Sequence, residues 1–187
     1  GGGVRWEPEL PDWKTKALGR VGNGLINKVC LKFEQPFWDT EVDFFGRTSV
    51  DARERGAFFL IWSLVRVSGH PILVGVTAGE AAIRLEKQTD KEQVDEMMRA
   101  LGEIFGDVPA PTHTTVTRWG MDGRSMGAYS YMKVGGNGGS DYDVLAAPLA
   151  DSVFFAGEGT CREHPATAAG AFLTGLREAG RIDKTFK

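Results

Sequence analysis

The 187-residue sequence predicts a fold that mixes helices with strands, of the α+β or α/β class. Three observations lead to this prediction. Residues 27–33 (NKVCLKF) alternate apolar and polar side chains, as a half-buried strand does. Residues 57–65 and 71–79 are continuous apolar runs of strand length, whereas residues 89–106 carry apolar side chains at helical spacing. The length fits one domain, or a large piece of a bigger one.

The predicted strands of the first half follow in order. In the first strand, Val29, Leu31 and Phe33 share one face, and polar side chains alternate with them on the other. The next two strands, AFFLIWSLV at 57–65 and PILVGVTAG at 71–79, are separated by SGHP, in which Gly and Pro favour a turn.

The strongest helix signal follows these strands. Thr89 and Glu92 have the spacing of a capping box, and apolar residues recur at helical spacing until Gly106, which predicts the helix end. Two prolines, Pro109 and Pro111, then lead into a further predicted strand at 113–119 (HTTVTRW).

The last part of the chain predicts a strand followed by a helix. Residues 152–157 (SVFFAG) form a short apolar run, and we predict a buried strand there. The final helix is predicted to begin near Pro165, because proline is favoured in a first helical turn, and to run to about Ile182.

Composition argues against several classes of function. A net charge of −3 gives no basic surface for nucleic acids, and no stretch has the length and apolarity of a membrane span. Cys30 and Cys161 form no disulfide framework, and the three histidines lack zinc spacing. We therefore expect no nucleic-acid partner, no membrane insertion and no metal. The opening GGG is either a cloning remnant or a sign that the sequence starts within a larger protein.

The stretch 154–175 (FFAGEGTCREHPATAAGAFLTG) buries little for its length. It joins a predicted strand that ends in Gly157-Glu158 to a helix whose first turns are nearly all small residues. Free N–H groups at a helix start attract electron-rich atoms, so a flat ligand could pack there. The alternative is a tight strand–helix turn that needs small residues only for packing. The chain contains no GxGxxG motif, so any dinucleotide would need a phosphate site elsewhere.

Several separated segments, in one order, resemble the C-terminal half of flavin-dependent amine oxidases of the lysine-specific histone demethylase branch. The segment FFAGEGT…HPATAAGAFLTGLREAGRI resembles the FAD-contacting end of that family. The resemblance extends over the chain through NKVCLKFEQPFW (27–38), FLIWSL (59–64), GEAA (79–82), RWGMDGRSMGAYSY (118–131) and SDYDVLA (140–146). It implies a mixed-sheet substrate domain at 1–150 and the last strand and helix of the FAD domain at 151–187. The N-terminal half with GxGxxG would lie outside this chain.

The resemblance also implies roles for individual residues. Lys28 matches the catalytic lysine that holds a water near the flavin, although most lysines on such strands are only solvated. Glu158 matches the acid that contacts FAD, and Thr167-Ala168 matches the pair at the flavin ring. Trp119 is expected to pack near the flavin.

Three residues are expected to contact substrate. Tyr129 matches the aromatic residue of the substrate channel, and Trp62 is placed near the substrate chamber. Thr167 stands where monoamine oxidases carry a second tyrosine, which implies a more open site. For Tyr129 the alternative is a strand tyrosine with a buried ring; for Trp62 and Trp119 it is an ordinary core position.

The sequence departs from the family pattern at two places. Gly123 and Arg124 stand where Pro and Trp are usual, which removes aromatic surface near the flavin and bears on substrate choice. Gly159 replaces the His that follows Gly-Glu in many relatives. Neither change removes Lys28 or Glu158.

The implied reaction is oxidative N-demethylation of methylated lysine, with histones as substrate, FAD as cofactor and release of formaldehyde and hydrogen peroxide. One alternative is a polyamine oxidase. Another is a non-catalytic module that binds a peptide or partner, since this chain alone is expected to be inactive. The implied partners are the N-terminal half of the enzyme and a corepressor bound through regions outside this chain. A histone substrate implies the nucleus; a polyamine substrate implies the cytoplasm or peroxisome.

Overall fold

The computed structural model describes residues 4–49, 51–150 and 152–187. Two compact units divide the chain: one takes the described residues up to Gly24 together with Tyr129–Lys187, and the other is Leu25–Ala128. The family resemblance implies a division elsewhere, at 150/151, between a substrate-binding part and an FAD-binding part. That division remains a prediction. Asp151 and the opening GGG lie outside the described residues.

The elements follow in chain order. The helices are α1 (Asp12–Arg20), α2 (Val65–Ser68), α3 (Gly79–Leu85), α4 (Asp90–Phe105), α5 (Gly139–Ala146) and α6 (Ala168–Thr185). The strands are β1 (Val21–Gly24), β2 (Ile26–Lys32), β3 (Phe44–Gly46), β4 (Leu60–Ser63), β5 (Ile72–Ala78), β6 (His113–Val116) and β7 (Tyr129–Met132). Mixed helices and strands confirm the α+β class, and every strand pairing among the described residues is antiparallel.

The unit Leu25–Ala128 is built on a five-stranded sheet in the order β3-β4-β5-β2-β6. Lys28 pairs with Val76 on β5, and Trp62 pairs with Val74, two residues along the same strand. Since residues two apart on a strand share a face, Lys28 and Trp62 lie on the same side of the sheet.

The opposite side of this sheet carries the hydrophobic core. Side chains from β2, β4 and β5 pack there against α3 and α4; the fully buried members include Val29, Leu31, Ile61, Leu73, Leu85, Met97 and Leu101. This side contributes most of the hydrophobic stabilisation, at about 1.5–3 kcal/mol for each large side chain. The face with Lys28 also buries Val74 and Val76, so Lys28 is a polar side chain on a largely apolar face.

The other unit pairs β1 with β7 and packs α1 against α5. Arg20, at the end of α1, donates to both carboxylate oxygens of the buried Asp141 on α5. This hydrogen bond is the main cause that lowers the pKa of Asp141 to about 2. The pair thus holds an ionised carboxylate inside the unit.

Lys14 on α1 is a buried lysine in the same unit, with 1% of its surface exposed. Its Nζ donates to the carbonyl oxygens of Leu145 at 2.8 Å and Val144 at 3.2 Å, at the end of α5. The same Nζ lies 3.7 Å from the ring centroid of Phe155. Burial lowers the pKa of Lys14 to about 8, and the charge of Glu178 acts in the opposite direction.

Three predictions that rest on a clear local sequence pattern are confirmed. β2 buries alternate residues, and β5 is buried along its middle, as its continuous apolar run indicates. Thr89 and Glu92 form the capping box of α4, which ends before Gly106.

Four predicted boundaries are wrong. The strand at 57–65 shortens to β4, because Phe58 has a left-handed backbone (φ 47°) and Val65 begins α2. The strand at 113–119 ends at Val116, since the N–H of Trp119 donates to a side chain instead of a neighbouring strand.

The other two errors lie near the C-terminus. Val153 forms a single bridge with Leu149, and residues 153–155 are half-buried without a partner strand in the described chain, while Ser152 is exposed. The last helix starts at Ala168 instead of Pro165, because Ala166 has φ 60° and Thr167 is extended. Helical backbone cannot pass through those conformations.

We predict that Gly170→Ala lowers the free energy of unfolding by about 1–3 kcal/mol, because overpacking against a backbone atom has a cost of that size. A Cβ at Gly170 would lie 2.1 Å from the carbonyl oxygen of His164. Gly175→Ala is the matched control: its Cβ meets nothing within 4 Å, and alanine in place of glycine stabilises a helix by about 1 kcal/mol. Urea denaturation measures both, and equal stabilities for the two variants would contradict the close approach.

We predict that the stability of the wild type relative to Lys14→Met increases as the pH rises from about 8 towards 10.5. The folded pKa of Lys14 is about 8, below the ordinary 10.5, so in this interval the unfolded chain binds more protons than the folded one. Folding is therefore favoured by raising the pH, and only the wild type has this contribution. Denaturation at several pH values measures it; parallel curves for both proteins would show that Lys14 is not perturbed.

Candidate functional site

Lys28 lies in the middle of β2 and is half-exposed. Its Nζ is 5.6 Å from the ring centroid of Trp62, and among the described residues this Nζ donates no hydrogen bond. A cation above an aromatic face is weakly attracted to it. Lys28 therefore keeps all three N–H donors for a water molecule or a ligand.

Trp62 on β4 is half-buried and lines a groove of about 560 Å³ that also includes Phe44 and Val67. Its indole Nε1 is buried and has no hydrogen-bond acceptor in the described part of the chain. An unmet buried donor costs about 1–3 kcal/mol. A ligand or water that offers an acceptor at Trp62 would recover that cost.

Trp119 follows β6, in the same unit as Lys28 and Trp62. Its side chain is 43% exposed, so within this unit it is not a core residue. Its backbone N–H donates to Oδ1 of Asn27 at 3.0 Å, which fixes the backbone while the indole stays free for contact.

The other expected site residues lie in the unit that contains β7 and α6. Tyr129 opens β7 and is 38% exposed, so its ring is not buried within this unit. Its neighbour Ser130 donates to Glu158 through both its backbone N–H, at 2.8 Å, and its hydroxyl, at 2.7 Å. Glu158 accepts a third hydrogen bond from the N–H of Ala166 at 2.7 Å. The structure thus brings Tyr129, Glu158 and the start of α6 together.

The carboxylate of Glu158 still has acceptor capacity. An ionised carboxylate offers about four lone-pair sites, and the three protein hydrogen bonds occupy three of them. Glu158 therefore joins the turn at Gly157 to β7 and can accept one further hydrogen bond from a ligand hydroxyl.

Thr167 is the N-cap of α6. Its hydroxyl accepts from the N–H of Gly170 at 2.9 Å and donates to the carbonyl of His164 at 2.8 Å. The side chains of residues 166–169 are exposed and small, and the N–H groups of Ala168 and Ala169 have no acceptor within the helix. The hydroxyl of Thr167 is thus used by the cap, while the surface around it is open to a flat ligand.

Each unit, taken by itself, offers contacts that a flavin or its substrate could use. One unit offers a carboxylate with a spare acceptor site and an exposed helix start lined by small side chains. The other offers the unpaired Nζ of Lys28, the orphaned N–H of Trp62 and the exposed indole of Trp119. Among the described residues, no group of three His, Cys, Asp or Glu side chains is placed to hold a metal ion. In the described chain, no helix is both long and apolar enough to cross a membrane.

Sequence reasoning missed the residues that hold this site in place. Asn27 and Glu86 are buried and bonded to each other at 2.7 Å, and Thr174 accepts from the N–H of Gly157 at 3.0 Å. One signal was present for Asn27: it occupies the buried phase of β2, where its polar side chain breaks the apolar alternation. Nothing in the sequence pattern points to Glu86 or Thr174, since their partners lie 59 and 17 residues away.

Comparison with known proteins gives a family match along nearly the whole chain. The profile of the family described as "Flavin containing amine oxidoreductase" matches residues 3–183. The chain is 44% identical over 181 residues to a lysine-specific histone demethylase 1 homolog 3 of Arabidopsis thaliana, covering 96% of this chain and 11% of that protein. It is 46% identical over 191 residues to a possible lysine-specific histone demethylase 1 of Drosophila melanogaster, covering 96% of this chain and 21% of the relative.

Solved structures share the fold at lower identity. A wild-type putrescine oxidase bound to putrescine matches with a TM-score of 0.75 and 21% identity, covering 97% of this chain and 40% of that one. The present chain thus spans less than a quarter of the length of these histone demethylase relatives and two-fifths of the oxidase structure. By the extent of the family match and the identity to these relatives, the chain belongs to the flavin-containing amine oxidoreductase family.

Proposed function

We propose that this chain is part of an FAD-dependent amine oxidase that removes methyl groups from lysine side chains, with histone tails as substrate. The observation that carries the proposal is identity of 44–46% over nearly the whole chain to relatives named lysine-specific histone demethylase. The likeness to putrescine oxidase, at 21% identity, supports the fold alone. It therefore does not favour the polyamine alternative.

The chain's own side chains supply orientation and exclusion of water in this reaction. A bound flavin would take a hydride from the carbon beside the amine nitrogen. Lys28 would hold a water molecule through its free Nζ donors at the reacting end of the site. In the unit Leu25–Ala128, the aromatic face of Trp62 would receive the methylated amine through cation–π and apolar contact. For Tyr129, in the other unit, substrate contact is proposed as the resemblance implies. Gly123 and Arg124 leave that surface less aromatic than the family pattern.

Cofactor binding would be divided along the chain. Glu158 would accept a ligand hydroxyl, the small residues at Thr167-Ala168 would lie against the flavin ring, and Trp119 would pack near it. The phosphates of FAD would bind a GxGxxG segment of the larger protein, since this chain contains none.

The exposed surface of α6 supports a partner within the same enzyme. Phe172, Leu173 and Leu176 form an apolar stripe, the α6 stripe, whose members are 67%, 47% and 57% exposed. Such a stripe on a long helix is normally covered. We propose that the remainder of the amine oxidase domain covers it, because this chain corresponds to 40% of a whole oxidase structure. We expect the chain alone to be inactive, because it contains no GxGxxG segment for the phosphates of FAD.

The histone substrate places the proposed enzyme in the nucleus. A corepressor would bind through regions outside this chain, as the resemblance implies. A polyamine substrate would instead place the enzyme in the cytoplasm or peroxisome.

We predict that Lys28→Met in the full-length, FAD-loaded protein slows anaerobic flavin reduction by a dimethyl-lysine peptide on the order of a hundredfold, because the water molecule that Lys28 would position is lost and misplacement at a reacting group has effects of that size. Lys32→Met, the same change on the same strand, is expected to reduce at the wild-type rate. Stopped-flow absorbance and formaldehyde release measure both. Equal rates for the two variants would contradict the role of Lys28.

The same assay separates the rival functions. Faster reduction by a free polyamine than by the peptide would support the polyamine oxidase instead. No reduction of bound flavin by either amine would support a non-catalytic module.

We predict that Phe172→Lys with Leu176→Lys reduces co-purification of this chain with a separately expressed N-terminal remainder at least about tenfold, because charge would be buried in an apolar contact. Val67→Lys is the control, since Val67 is 84% exposed in the other unit. Pull-down with quantitative immunoblotting measures recovery. Undiminished recovery of the double variant would show that the α6 stripe is not the contact.

A further inference from the structure

We propose that Asn27 and Glu86 are positioning residues, which fix the backbone of Trp119 and Gly120 relative to Lys28. The inference rests on the proposed function for its catalytic meaning, but its structural part stands on contacts within the unit Leu25–Ala128. Neither side chain is expected to touch substrate or flavin, since both are buried: Asn27 is 2% and Glu86 7% exposed.

Both the oxygen and the nitrogen of the Asn27 side-chain amide form hydrogen bonds. Its Oδ1 accepts from the hydroxyl of Thr117 at 3.0 Å and from the N–H of Trp119 at 3.0 Å. Its Nδ2 donates to Oε1 of Glu86 at 2.7 Å. An amide oxygen has two lone pairs, so the acceptor side of Asn27 is saturated by these two donors.

Glu86 binds the backbone of Gly120, the residue after Trp119. Its Oε1 also accepts from the N–H of Gly120 at 2.7 Å. The approach is close enough that a Cβ at Gly120 would lie 2.5 Å from Oε2 of Glu86. The cation nearest in sequence to this backbone, Arg118, donates to the backbone carbonyl of Glu86 and pairs with Asp90. The carboxylate is thus compensated by a backbone amide and Asn27.

Thr117 connects this pair to Lys28. The N–H of Lys28 donates to the Thr117 hydroxyl at 2.8 Å, and that hydroxyl donates to Asn27. A continuous path of hydrogen bonds therefore runs from the backbone of Lys28, through Thr117, Asn27 and Glu86, to the backbone of Trp119 and Gly120.

The path matters because Lys28 and Trp119 hold their functional ends outside the core. Both side chains are partly exposed, so packing alone does not set their separation. An apolar pair would fill the place of Asn27 and Glu86 at a lower desolvation cost, but it would leave the N–H groups of Trp119 and Gly120 without acceptors. The polar pair therefore fixes position at the site.

The test exchanges donor and acceptor. Asn27→Asp keeps the shape and the acceptor oxygen but sets a carboxylate against Glu86. The double variant Asn27→Asp with Glu86→Gln restores the hydrogen bond between positions 27 and 86 in the reverse direction and keeps the net charge. The donating amide then stands in place of the oxygen that accepts from the N–H of Gly120, so this variant restores the path to Trp119 and leaves Gly120 without its acceptor. Ser63→Ala is the control for a lost buried hydrogen bond outside the path, since Ser63 accepts from Trp38.

Two readouts are taken on the full-length protein. Hydrogen exchange by mass spectrometry on the flavin-free protein follows peptides that contain residues 119 and 120. Anaerobic stopped-flow then follows flavin reduction by a dimethyl-lysine peptide at saturating concentration. We expect Asn27→Asp to speed exchange at these amides at least about tenfold and to slow reduction on the order of ten- to a hundredfold, because small misplacements at reacting groups have effects of that size. The double variant recovers the protection contributed by the amide of Trp119 and part of the reduction rate, while the amide of Gly120 stays fast; Ser63→Ala changes neither readout.

Unchanged exchange in Asn27→Asp overturns the proposal, as does failure of the double variant to recover protection at Trp119. Faster exchange with an unchanged reduction rate overturns the positioning role and leaves a purely structural pair. If the wild-type holoenzyme is not reduced by any amine, the proposed function fails, and the exchange readout still decides whether the pair holds this backbone.

Discussion

A carboxylate that is partly or wholly withdrawn from water needs its charge compensated, and this constraint acts in both compact units of the chain. Glu158 is compensated by two backbone N–H groups and a hydroxyl, and Glu86 by one backbone N–H and an amide. Through these hydrogen bonds, each carboxylate links a strand, or the segment that follows a strand, to a part of the chain distant in sequence. Within each unit the expected ligand contacts lie beside one of these links, so their positions depend on a carboxylate that is held by hydrogen bonds.

This arrangement suits a reaction in which the cofactor supplies the chemistry. The protein needs no nucleophile, and its role is to hold an aromatic ligand and a neutral amine in fixed orientation. The partly exposed side chains of Lys28 and Trp119 lie on backbone that is held by hydrogen bonds to the side chains of Thr117 and Asn27. In the other unit, the small side chains at the start of α6 leave space, while the Thr167 cap and the close approach of Gly170 to His164 fix the helix.

The sequence predicted those features that depend on local pattern. The alternation around Val29, the capping box at Thr89 and the apolar run of β5 each follow from contacts within a few residues, and each is confirmed. The strand predicted at 152–157 failed because a strand also needs a neighbour, and composition does not show whether the chain provides one. The start of α6 was misplaced since the positive φ of Ala166 depends on its N–H bonding to Glu158, a tertiary contact.

The site itself was only partly predictable for the same reason. Lys28, Glu158 and Thr167 came from motif resemblance, and their roles toward ligand remain predictions. Asn27 and Glu86 are joined by one hydrogen bond across 59 residues, so no local period or motif could reveal the pair. In related sequences, a polar residue at a buried position of a strand, such as Asn27, would indicate a buried hydrogen-bond network of this kind.

The most direct measurement is the visible absorbance spectrum of the full-length protein after incubation with FAD and removal of unbound cofactor. We predict about one flavin retained per protein, as a single cofactor site requires, with a spectrum shifted from that of free FAD by its protein environment. A colourless protein under these conditions would contradict the central claim that this chain forms part of a flavin-binding amine oxidase.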